Sequence, residues 1–417
     1  MVKRRPTWLE PSGGLPSGTA LPPPENVEQA AVWLANAIEW ARDKGATDLH
    51  FFPSEAQAML WVRIDGELRE AARYPLAVHE RMIARLKVMG RCSDYAGELV
   101  QEGRFSLNGH SAEGEARLSI LATLRGDKAV VRLLAGGAKL LPLGELGLSE
   151  ELMGALRHAM DRPQGLLLAV GPSGCGKSTA LYALLHDLHG RTGRPVSIVT
   201  IEDPVEQSLP FAAQISADPA RGLGFGEGLR ALLRQDPEII MIGEIRDAET
   251  STAALQAALT GHRLLSSMHT LTAAEALVRL QQMGSAPYEI SSALAGVLNL
   301  RLVRLLCPHC KRTRAIANEE LEWMPEAAAW PEPAAAEAEG CALCLGSGHL
   351  GRTALGEWLR PTPETAAALQ ARQPAREIAR TLETAVSARP AAVALARDGR
   401  VSLSELRNVA GLASLSR

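Results

Sequence analysis

The sequence has few aromatic residues and almost no net charge. Five Phe, seven Trp and four Tyr occur in 417 residues, and 44 Lys and Arg against 47 Asp and Glu leave a formal charge of −3. A nucleic-acid motor is expected to carry a basic surface and aromatic side chains on which bases stack. Because both signatures are weak, we expect no nucleic-acid partner. The 46% hydrophobic and 22% charged residues are typical of a globular protein.

Long apolar runs and a disulfide framework are also missing. No apolar run approaches the roughly 18 residues of a membrane-spanning helix. The basic start MVKRR continues into Pro and Gly, and not into the apolar stretch of a signal peptide. Six cysteines in a chain of this length do not make a disulfide scaffold. These features predict a cytoplasmic protein with reduced thiols.

Composition and hydrophobic periodicity divide the chain into five parts. Pro and Gly dominate the start, apolar residues at helical spacing and short strand-like runs follow, and a Gly-rich stretch at 135–149 marks a boundary. After it, continuous apolar runs at 166–170, 196–201, 239–243 and 264–268 alternate with helical segments, which predicts a parallel sheet covered on both faces. The predicted parts are a flexible leader (1–24), an α+β domain (25–137), an α/β core (138–306), a four-cysteine module (307–350) and a helical C-terminal region (351–417).

The strongest motif is GPSGCGKS at 171–178, which fits the P-loop pattern G-x-x-x-x-G-K-[ST] between a predicted strand and a predicted helix. Glycines let such a loop direct its N–H groups at phosphate oxygens, and the helix N-terminus adds positive potential. Lys177 is expected to reach the β- and γ-phosphates of ATP, and Ser178 to bind Mg²⁺. The nucleotide-binding prediction comprises Gly171, Pro172, Ser173, Gly174, Cys175, Gly176, Lys177, Ser178 and Thr179.

Polar side chains follow the next three apolar runs. Glu202 ends the run at 196–201, Glu244 follows 239–243, and His269 follows 264–268. Ligands of open parallel sheets bind beyond the carboxyl ends of the strands, so these residues are expected to converge near the P-loop. Glu244 has the position of a Walker B acid, which either orients the attacking water or holds the water shell of the metal. Taken singly, each carboxylate is more often a helix cap or a surface charge, and His269 is as often a structural histidine as a γ-phosphate sensor, but the set together indicates a site of nucleotide hydrolysis.

Two CxxC pairs, Cys307/Cys310 and Cys341/Cys344, are separated by 30 residues. Four thiolates at this spacing predict a closed, structural Zn²⁺ site, with four buried thiols as the alternative. A basic cluster flanks the first pair and is interpreted either as a solvated face or as a surface for acidic partners. It comprises Arg301, Arg304, Lys311, Arg312 and Arg314.

Several stretches resemble the secretion ATPases, the hexameric motors of type II secretion and type IV pilus assembly. TIEDPVE (200–206), LRQDPEIIMIGEIRDAET (233–250) and TGHRLLSSMHT (260–270) resemble the family's Asp box, Walker B region and His box. ATDLHF (46–51), RIDGEL (63–68) and EGR (102–104) resemble its N-terminal domain, and VSLSELRNV (401–409) its closing helix. The resemblance spans roughly residues 45–417. It implies a RecA-like P-loop core, preceded by an α+β domain and followed by a small zinc-binding and helical region.

The resemblance also implies roles and partners. In the family ring, N-terminal arginines reach the phosphates bound at the P-loop, and Arg63, Arg104, Arg117 and Arg132 are the candidates. For Arg117 and Arg132, a salt-bridged surface position is an equal alternative. The implied partners are copies of the chain itself, an inner-membrane platform protein and a cytoplasmic docking protein, with only peripheral membrane association. Since the family usually carries a further N-terminal docking domain, the helix within 25–44 is a candidate for that docking.

Three positions depart from the family pattern. Trp61 stands where an arginine is usual, GELVQ (97–101) replaces an Arg-Leu-Pro-Gln-Asp-like stretch, and Leu271-Thr272 replaces Asn-Asp after the His box. These departures favour a reduced set of phosphate-binding cations. Beside an ATPase motor, two other functions therefore remain open: a nucleotide-binding scaffold with low turnover, and a motor of the DNA-uptake or conjugation type.

Overall fold

The computed structural model describes residues 21–24, 26–92, 99–107, 115–133, 140–218, 222–330, 334–409, 411, 412 and 415. Most of the predicted leader, Gly97-Glu98 and part of the predicted boundary at 135–149 lie outside these residues. The helices are α1 (Ala30–Asp43), α2 (Leu76–Gly90), α3 (Glu150–Asp161), α4 (Lys177–Thr192), α5 (Phe225–Leu232), α6 (Ala248–Leu259), α7 (Ala273–Gln282), α8 (Pro287–Ala293), α9 (Asn318–Trp323), α10 (Pro363–Gln370), α11 (Ala375–Thr381), α12 (Arg389–Arg397) and α13 (Leu403–Arg407).

Strands form three sheets within this described part of the chain. They are β1 (Asp48–Pro53), β2 (Ala58–Ile64), β3 (Glu67–Tyr74), β4 (Val100–Ser106), β5 (Glu115–Thr123), β6 (Gly126–Leu133), β7 (Gly165–Val170), β8 (Ile198–Glu202), β9 (Ala213–Ser216), β10 (Ile239–Ile242), β11 (Arg263–Met268), β12 (Leu294–Leu306), β13 (Arg312–Ala315), β14 (Ala334–Glu337), β15 (His349–Arg360) and β16 (Glu383–Val386).

The chain divides into two compact units. The first contains the described residues within Met1–Ala138 together with Cys307–Lys311 and Ala338–Leu350. The second contains those within Lys139–Leu306, Arg312–Glu337 and Gly351–Arg417. The two halves of the four-cysteine module therefore belong to the first unit, whereas the segment between them belongs to the second.

The first unit is built on a six-stranded antiparallel sheet in the order β3-β2-β1-β6-β5-β4. Side chains of a strand alternate between faces, and β2 follows this rule with every second residue buried. Leu49, Phe51, Leu60 and Val131 lie on the buried face and form one core with apolar residues of α1 and α2. The opposite face carries Asp48 and Arg63 together with the aromatic residues Phe52 and Trp61.

The second unit is built on an eight-stranded sheet in the order β16-β15-β12-β7-β11-β10-β8-β9. The six strands from β12 to β9 are parallel. Leu166 and Leu168 of β7 pack into one core, and Leu167 and Ala169 pack into another on the opposite face. Because both faces are covered, β7 has the continuous apolar sequence that predicted a parallel α/β core.

The α/β fold class is confirmed, but the C-terminal region is not only helical. Between residues 351 and 417 lie α10 to α13, and also β16 and most of β15, which add two strands to the central sheet. Residues 353–359 of β15 are all buried, so the strand lacks the alternation of a half-exposed strand. Within the described ranges, no helix combines the length and apolar character needed to cross a bilayer.

Candidate nucleotide site and metal centre

The P-loop leaves β7 at its carboxyl end and leads directly into α4, as predicted. Gly176 is the N-cap of α4 in a left-handed conformation, with φ of 94°. Gly171 has φ of 147°, and a Cβ there would lie 2.5 Å from both the Cys175 Sγ and the Leu300 carbonyl oxygen. These two positions therefore require glycine. Cys175 is buried beside the loop, and burial raises its thiol pKa, which agrees with a packing role.

Lys177 is 6% exposed, and its ammonium group is held by its own loop. The Nζ atom donates hydrogen bonds to the carbonyl oxygens of Gly171 at 2.7 Å and Pro172 at 3.1 Å. It also lies 3.3 Å from His269 Nδ1. Burial lowers the pKa of Lys177, and the Glu244 carboxylate opposes that shift. Because the P-loop follows β7, these contacts hold the ammonium group at the carboxyl end of that strand.

His269 connects Lys177 to Glu244. An ammonium group can only donate, so Nδ1 of His269 accepts, and its Nε2, 3.3 Å from Glu244 Oε2, is left to donate. Burial, and then the neighbouring charge of Lys177, lower the pKa of His269 and favour the neutral ring. The three side chains follow β7, β10 and β11, and β11 lies between the other two in the sheet. The structure therefore brings together three of the residues that the sequence singled out.

Glu202 belongs to a separate network at the end of β8. Its carboxylate accepts hydrogen bonds from Thr200 at 2.6 Å, from Gln214 at 3.0 Å and from the Tyr182 hydroxyl. The carboxylate that joins the Glu244 network is the neighbouring Asp203, which lies 3.2 Å from Arg246 Nη1.

Arg246 also pairs with Glu244, so it holds two acids together. Arg246 was not among the predicted site residues, although it lies only two residues beyond Glu244. The available signal was its place in the stretch GEIRD, directly after an apolar strand.

The four candidate arginines form one row across the sheet of the first unit. Arg104 of β4 is opposite Arg117 of β5, Arg117 is opposite Arg132 of β6, Arg132 is opposite Asp48 of β1, and Asp48 is opposite Arg63 of β2. Directly opposed residues of antiparallel strands share a face. With strands about 4.8 Å apart, the row extends about 19 Å. We call these five residues the arginine row.

Asp48 is the anion within the arginine row, and it is 5% exposed. Its carboxylate accepts hydrogen bonds from Arg132 Nε and the Thr47 hydroxyl, both at 2.8 Å, and lies 3.8 Å from Arg63 Nε. Burial alone would raise the pKa of Asp48, but the hydrogen bonds from Arg132 and Thr47 outweigh it and hold the pKa below the ordinary value. Arg117 Nε is buried without a hydrogen-bond partner.

Two departures from the family pattern have structural roles. Trp61 stacks on Phe52 with ring centres 5.1 Å apart, and its strand position places it on the face of the arginine row. Thr272 caps α7, since its hydroxyl accepts from the Glu275 N–H at 3.1 Å. A stacked tryptophan and a helix-capping threonine thus occupy two of the positions that depart from the family pattern.

The basic cluster around the first CxxC pair is not one solvated face. Arg301 is 6% exposed and donates to Asn299 and to the carbonyl of Leu300. Arg304 forms a bidentate pair with Glu405, and Arg314 pairs with Glu320. The interpretation as a solvated face is wrong for Arg301, whose side chain is buried, and the charges of Arg304 and Arg314 are each paired with a glutamate.

The four cysteine sulfurs lie within 4.8 Å of one another. The distances between Sγ atoms are 3.9 Å for Cys307 and Cys341, 3.8 Å for Cys310 and Cys344, and 3.7 Å for Cys341 and Cys344. A disulfide bond is far shorter. A tetrahedron with Zn–S distances of about 2.3 Å has edges of about 3.8 Å, so the residues fit this metal.

Backbone N–H groups point at two of these sulfurs. Gly340 donates to Cys310 Sγ at 3.3 Å, and Cys341 and Gly348 donate to Cys344 Sγ at 3.2 Å each. Burial alone would raise the pKa of the Cys344 thiol, but these backbone donors lower it. The thiolate form that metal binding requires is therefore favoured at Cys344, whereas burial raises the pKa of the Cys310 thiol to about 12.

A parallel sheet in which a P-loop lysine, a carboxylate and a histidine follow adjacent strands defines the P-loop class of nucleotide-binding proteins. Within that class, the chain belongs to the family described as Type II/IV secretion system protein, whose model matches residues 26–408.

Named relatives include the "Type IV pilus assembly ATPase PilB" of Acinetobacter baylyi, which is 40% identical over 343 residues, covering 81% of this chain and 58% of that protein. "Type II secretion system protein E" of Pseudomonas aeruginosa is 40% identical over 326 residues, covering 78% of this chain and 64% of that protein. The chain thus spans about three fifths of the length of these two relatives.

Solved structures confirm the fold. An X-ray structure of the Yersinia pseudotuberculosis ATPase DotB matches with a TM-score of 0.65 at 18% identity, covering 94% of this chain and 96% of that one. A crystal structure of the pilus retraction motor PilT with bound ADP matches with a TM-score of 0.56 at 21% identity, covering 90% and 96%.

Proposed function

We propose that the chain is the ATPase subunit of a motor that assembles a type IV pilus or a type II secretion pseudopilus. The observation that carries the proposal is the connected set of Lys177, His269 and Glu244 at the ends of adjacent strands. The names of the two relatives, a pilus assembly ATPase and a type II secretion protein, support the choice of machine.

Nucleotide binding is assigned to the residues from Gly171 to Thr179. Lys177 already directs its ammonium group at oxygen acceptors of its own loop, and phosphate oxygens of ATP would take their place. Backbone N–H groups at the start of α4 add a second set of donors. When bound, Mg²⁺ neutralises charge on the phosphates, and Ser178 is the residue that would hold it.

Hydrolysis is assigned to Glu244, with His269 as the residue that positions it. The neutral His269 accepts a hydrogen bond from Lys177 at Nδ1 and can donate one from Nε2 to Glu244. The imidazole ring therefore links the Glu244 carboxylate to the Lys177 ammonium group. Glu244 then orients the attacking water in line with the γ-phosphate. Glu202 keeps a supporting role, since three donors hold its carboxylate at the end of the neighbouring β8.

Arg63 and Arg104 are assigned to stabilise the charge that develops during transfer. Both belong to the arginine row, in which four arginines share one face with a single buried carboxylate, Asp48. The orphaned Arg117 Nε supports an anion as the partner of this face. In the family ring, such a face meets the nucleotide of a P-loop, and an arginine that engages it accelerates hydrolysis by about 10³–10⁵-fold.

The assembly-level part of the proposal follows from family membership. We propose a homohexameric ring at the cytoplasmic side of the inner membrane, bound to a platform protein and a docking protein and touching the membrane only through them. The four cysteines would hold Zn²⁺ as a structural ion, because all four tetrahedral positions are taken by thiolates and no position is open to water.

The proposal is tested by ATP hydrolysis and ATP binding of the wild type, Glu244→Gln and the control Glu238→Gln. Glu238 precedes the same strand β10 at its opposite end and pairs with Arg194 at the surface. We expect Glu244→Gln to lose about 10²–10⁴-fold in hydrolysis rate while it keeps ATP binding, and Glu238→Gln to match the wild type.

Other outcomes identify the alternatives. Tight ATP binding without hydrolysis in all three proteins would favour the low-turnover scaffold. Hydrolysis that rises strongly with single-stranded DNA would favour the DNA-uptake or conjugation type of motor. Full hydrolysis in Glu244→Gln would refute the assignment of this residue.

A further inference from the structure

Arg69 is a buried cation beside the four-cysteine centre. It lies on the edge strand β3 of the first unit, is 8% exposed, and donates from Nη1 to the carbonyl oxygen of Cys344 at 3.2 Å. Both residues belong to the first unit, although 275 positions separate them in the chain.

Most N–H groups of the Arg69 guanidinium are buried without a hydrogen-bond partner. Its Nε and Nη2 atoms are buried and have no hydrogen-bond partner. The nearest carboxylates, Asp65 and Glu67, are each 4.0 Å from Nη2, beyond hydrogen-bond distance. A buried cation with one neutral acceptor and two long ion pairs costs free energy unless further negative charge lies close by.

The four-cysteine centre supplies such a charge. Four thiolates around one Zn²⁺ ion carry a net charge of −2, and the carbonyl that Arg69 binds belongs to Cys344, which is one of the four cysteines. Outer-shell groups of this kind orient the ligands and adjust the strength of the metal site.

The neighbouring Leu345 fixes the same segment by packing. It follows Cys344 in a left-handed conformation with φ of 53°, and its side chain packs against the hydrophobic core of α1, α2 and the six-stranded sheet. One polar and one apolar contact thus attach the second CxxC pair to the N-terminal fold.

We propose that Arg69 is the counter-cation of the metal centre and positions its second CxxC pair on the N-terminal sheet. This inference rests on the zinc site proposed above. It makes metal binding and the stability of the first unit interdependent, because the residue that balances the charge of the centre belongs to β3.

The test compares Arg69→Met with the control Arg73→Met. Arg73 lies four residues further on β3, with its side chain 55% exposed and paired with Glu70. Zinc affinity is measured on the full chain by competition with a chromophoric chelator, and melting temperatures are measured with and without zinc. We expect Arg69→Met to bind zinc about 10–100-fold more weakly, and Arg73→Met to match the wild type.

A second readout separates this role from simple packing. Without zinc, Arg69 is a buried cation with little compensation, so Arg69→Met stripped of metal should melt at the same temperature as the stripped wild type or higher. Arg69→Lys, which keeps the charge, should recover part of the zinc affinity. Wild-type zinc affinity in Arg69→Met, or a lower melting temperature of its stripped form with unchanged affinity, would overturn the inference. Failure of the wild type to bind zinc would remove the metal site itself.

Discussion

Replacing Asp48 with Asn tests the physical basis of the arginine row. The substitution removes the one negative charge between Arg63 and Arg132 and keeps the size of the side chain. A hydrogen bond to a charged group contributes about 1.5–3 kcal/mol, and the 66% exposed side chain of Arg132 places its bond to Asp48 at the lower end. Asn retains one acceptor oxygen, so we expect a loss of about 1–2 kcal/mol in the free energy of unfolding.

The assay is thermal and urea unfolding, in which the unfolding transition of the first unit is followed. Glu55→Gln is the control. Glu55 pairs with Arg125 but is 78% exposed, so its loss should change stability by less than about 0.5 kcal/mol. Each kcal/mol shifts the melting temperature of a domain of about 100 residues by about 4–8 °C. Asp48→Asn should recover stability with added salt, since screening weakens repulsion among the remaining cations. The stabilising role of Asp48 in the arginine row would be refuted if Asp48→Asn and Glu55→Gln were equally stable. It would also be refuted if added salt left the stability of Asp48→Asn unchanged.

Three further predictions follow from the same structure. Arg104→Ala should lower ATP hydrolysis at least 10-fold without weakening ATP binding, and Arg125→Ala should leave hydrolysis unchanged; a steady-state phosphate-release assay compares them. Burial lowers the pKa of His79 below 6.5, so its contribution to stability is complete above pH 6.5 and is lost as the pH falls towards the folded-state pKa. Urea unfolding between pH 7.5 and 5 should therefore show a steeper loss for the wild type than for His79→Gln, and parallel curves would contradict this. Removing zinc with a chelator should lower the melting temperature of the first unit while ATP binding persists, and loss of ATP binding would argue against a purely structural ion.

The nucleotide site could be predicted because its signals are local in sequence. A P-loop is one continuous stretch, and Glu244 and His269 each follow an apolar strand, so adjacency in a parallel sheet brings them together. The strand β12 could not be predicted in the same way. Its first eight residues are all buried although Asn299 and Arg301 are among them, so the strand shows neither an uninterrupted apolar run nor the alternation of a half-exposed strand.

The arginine row and the role of Arg69 depend on register and tertiary contact. Arg104, Arg117, Arg132 and Arg63 are spread over 70 positions, and only the pairing of β4, β5, β6, β1 and β2 aligns them. Arg69 is separated from Cys344 by 275 residues, and no motif near it indicates a metal centre. For Arg301, the sequence predicted a surface position that the structure does not have. Its basic neighbours suggested a solvated face, whereas its side chain is buried.

We propose above that ATP hydrolysis by this chain drives fibre assembly. The most direct measurement replaces the gene in its own cells with the wild type or with Glu244→Gln and counts surface fibres or secreted protein. We expect the wild type to restore assembly and Glu244→Gln to fail to do so, although the variant accumulates to the same level and binds ATP. Normal assembly with Glu244→Gln would contradict this proposal.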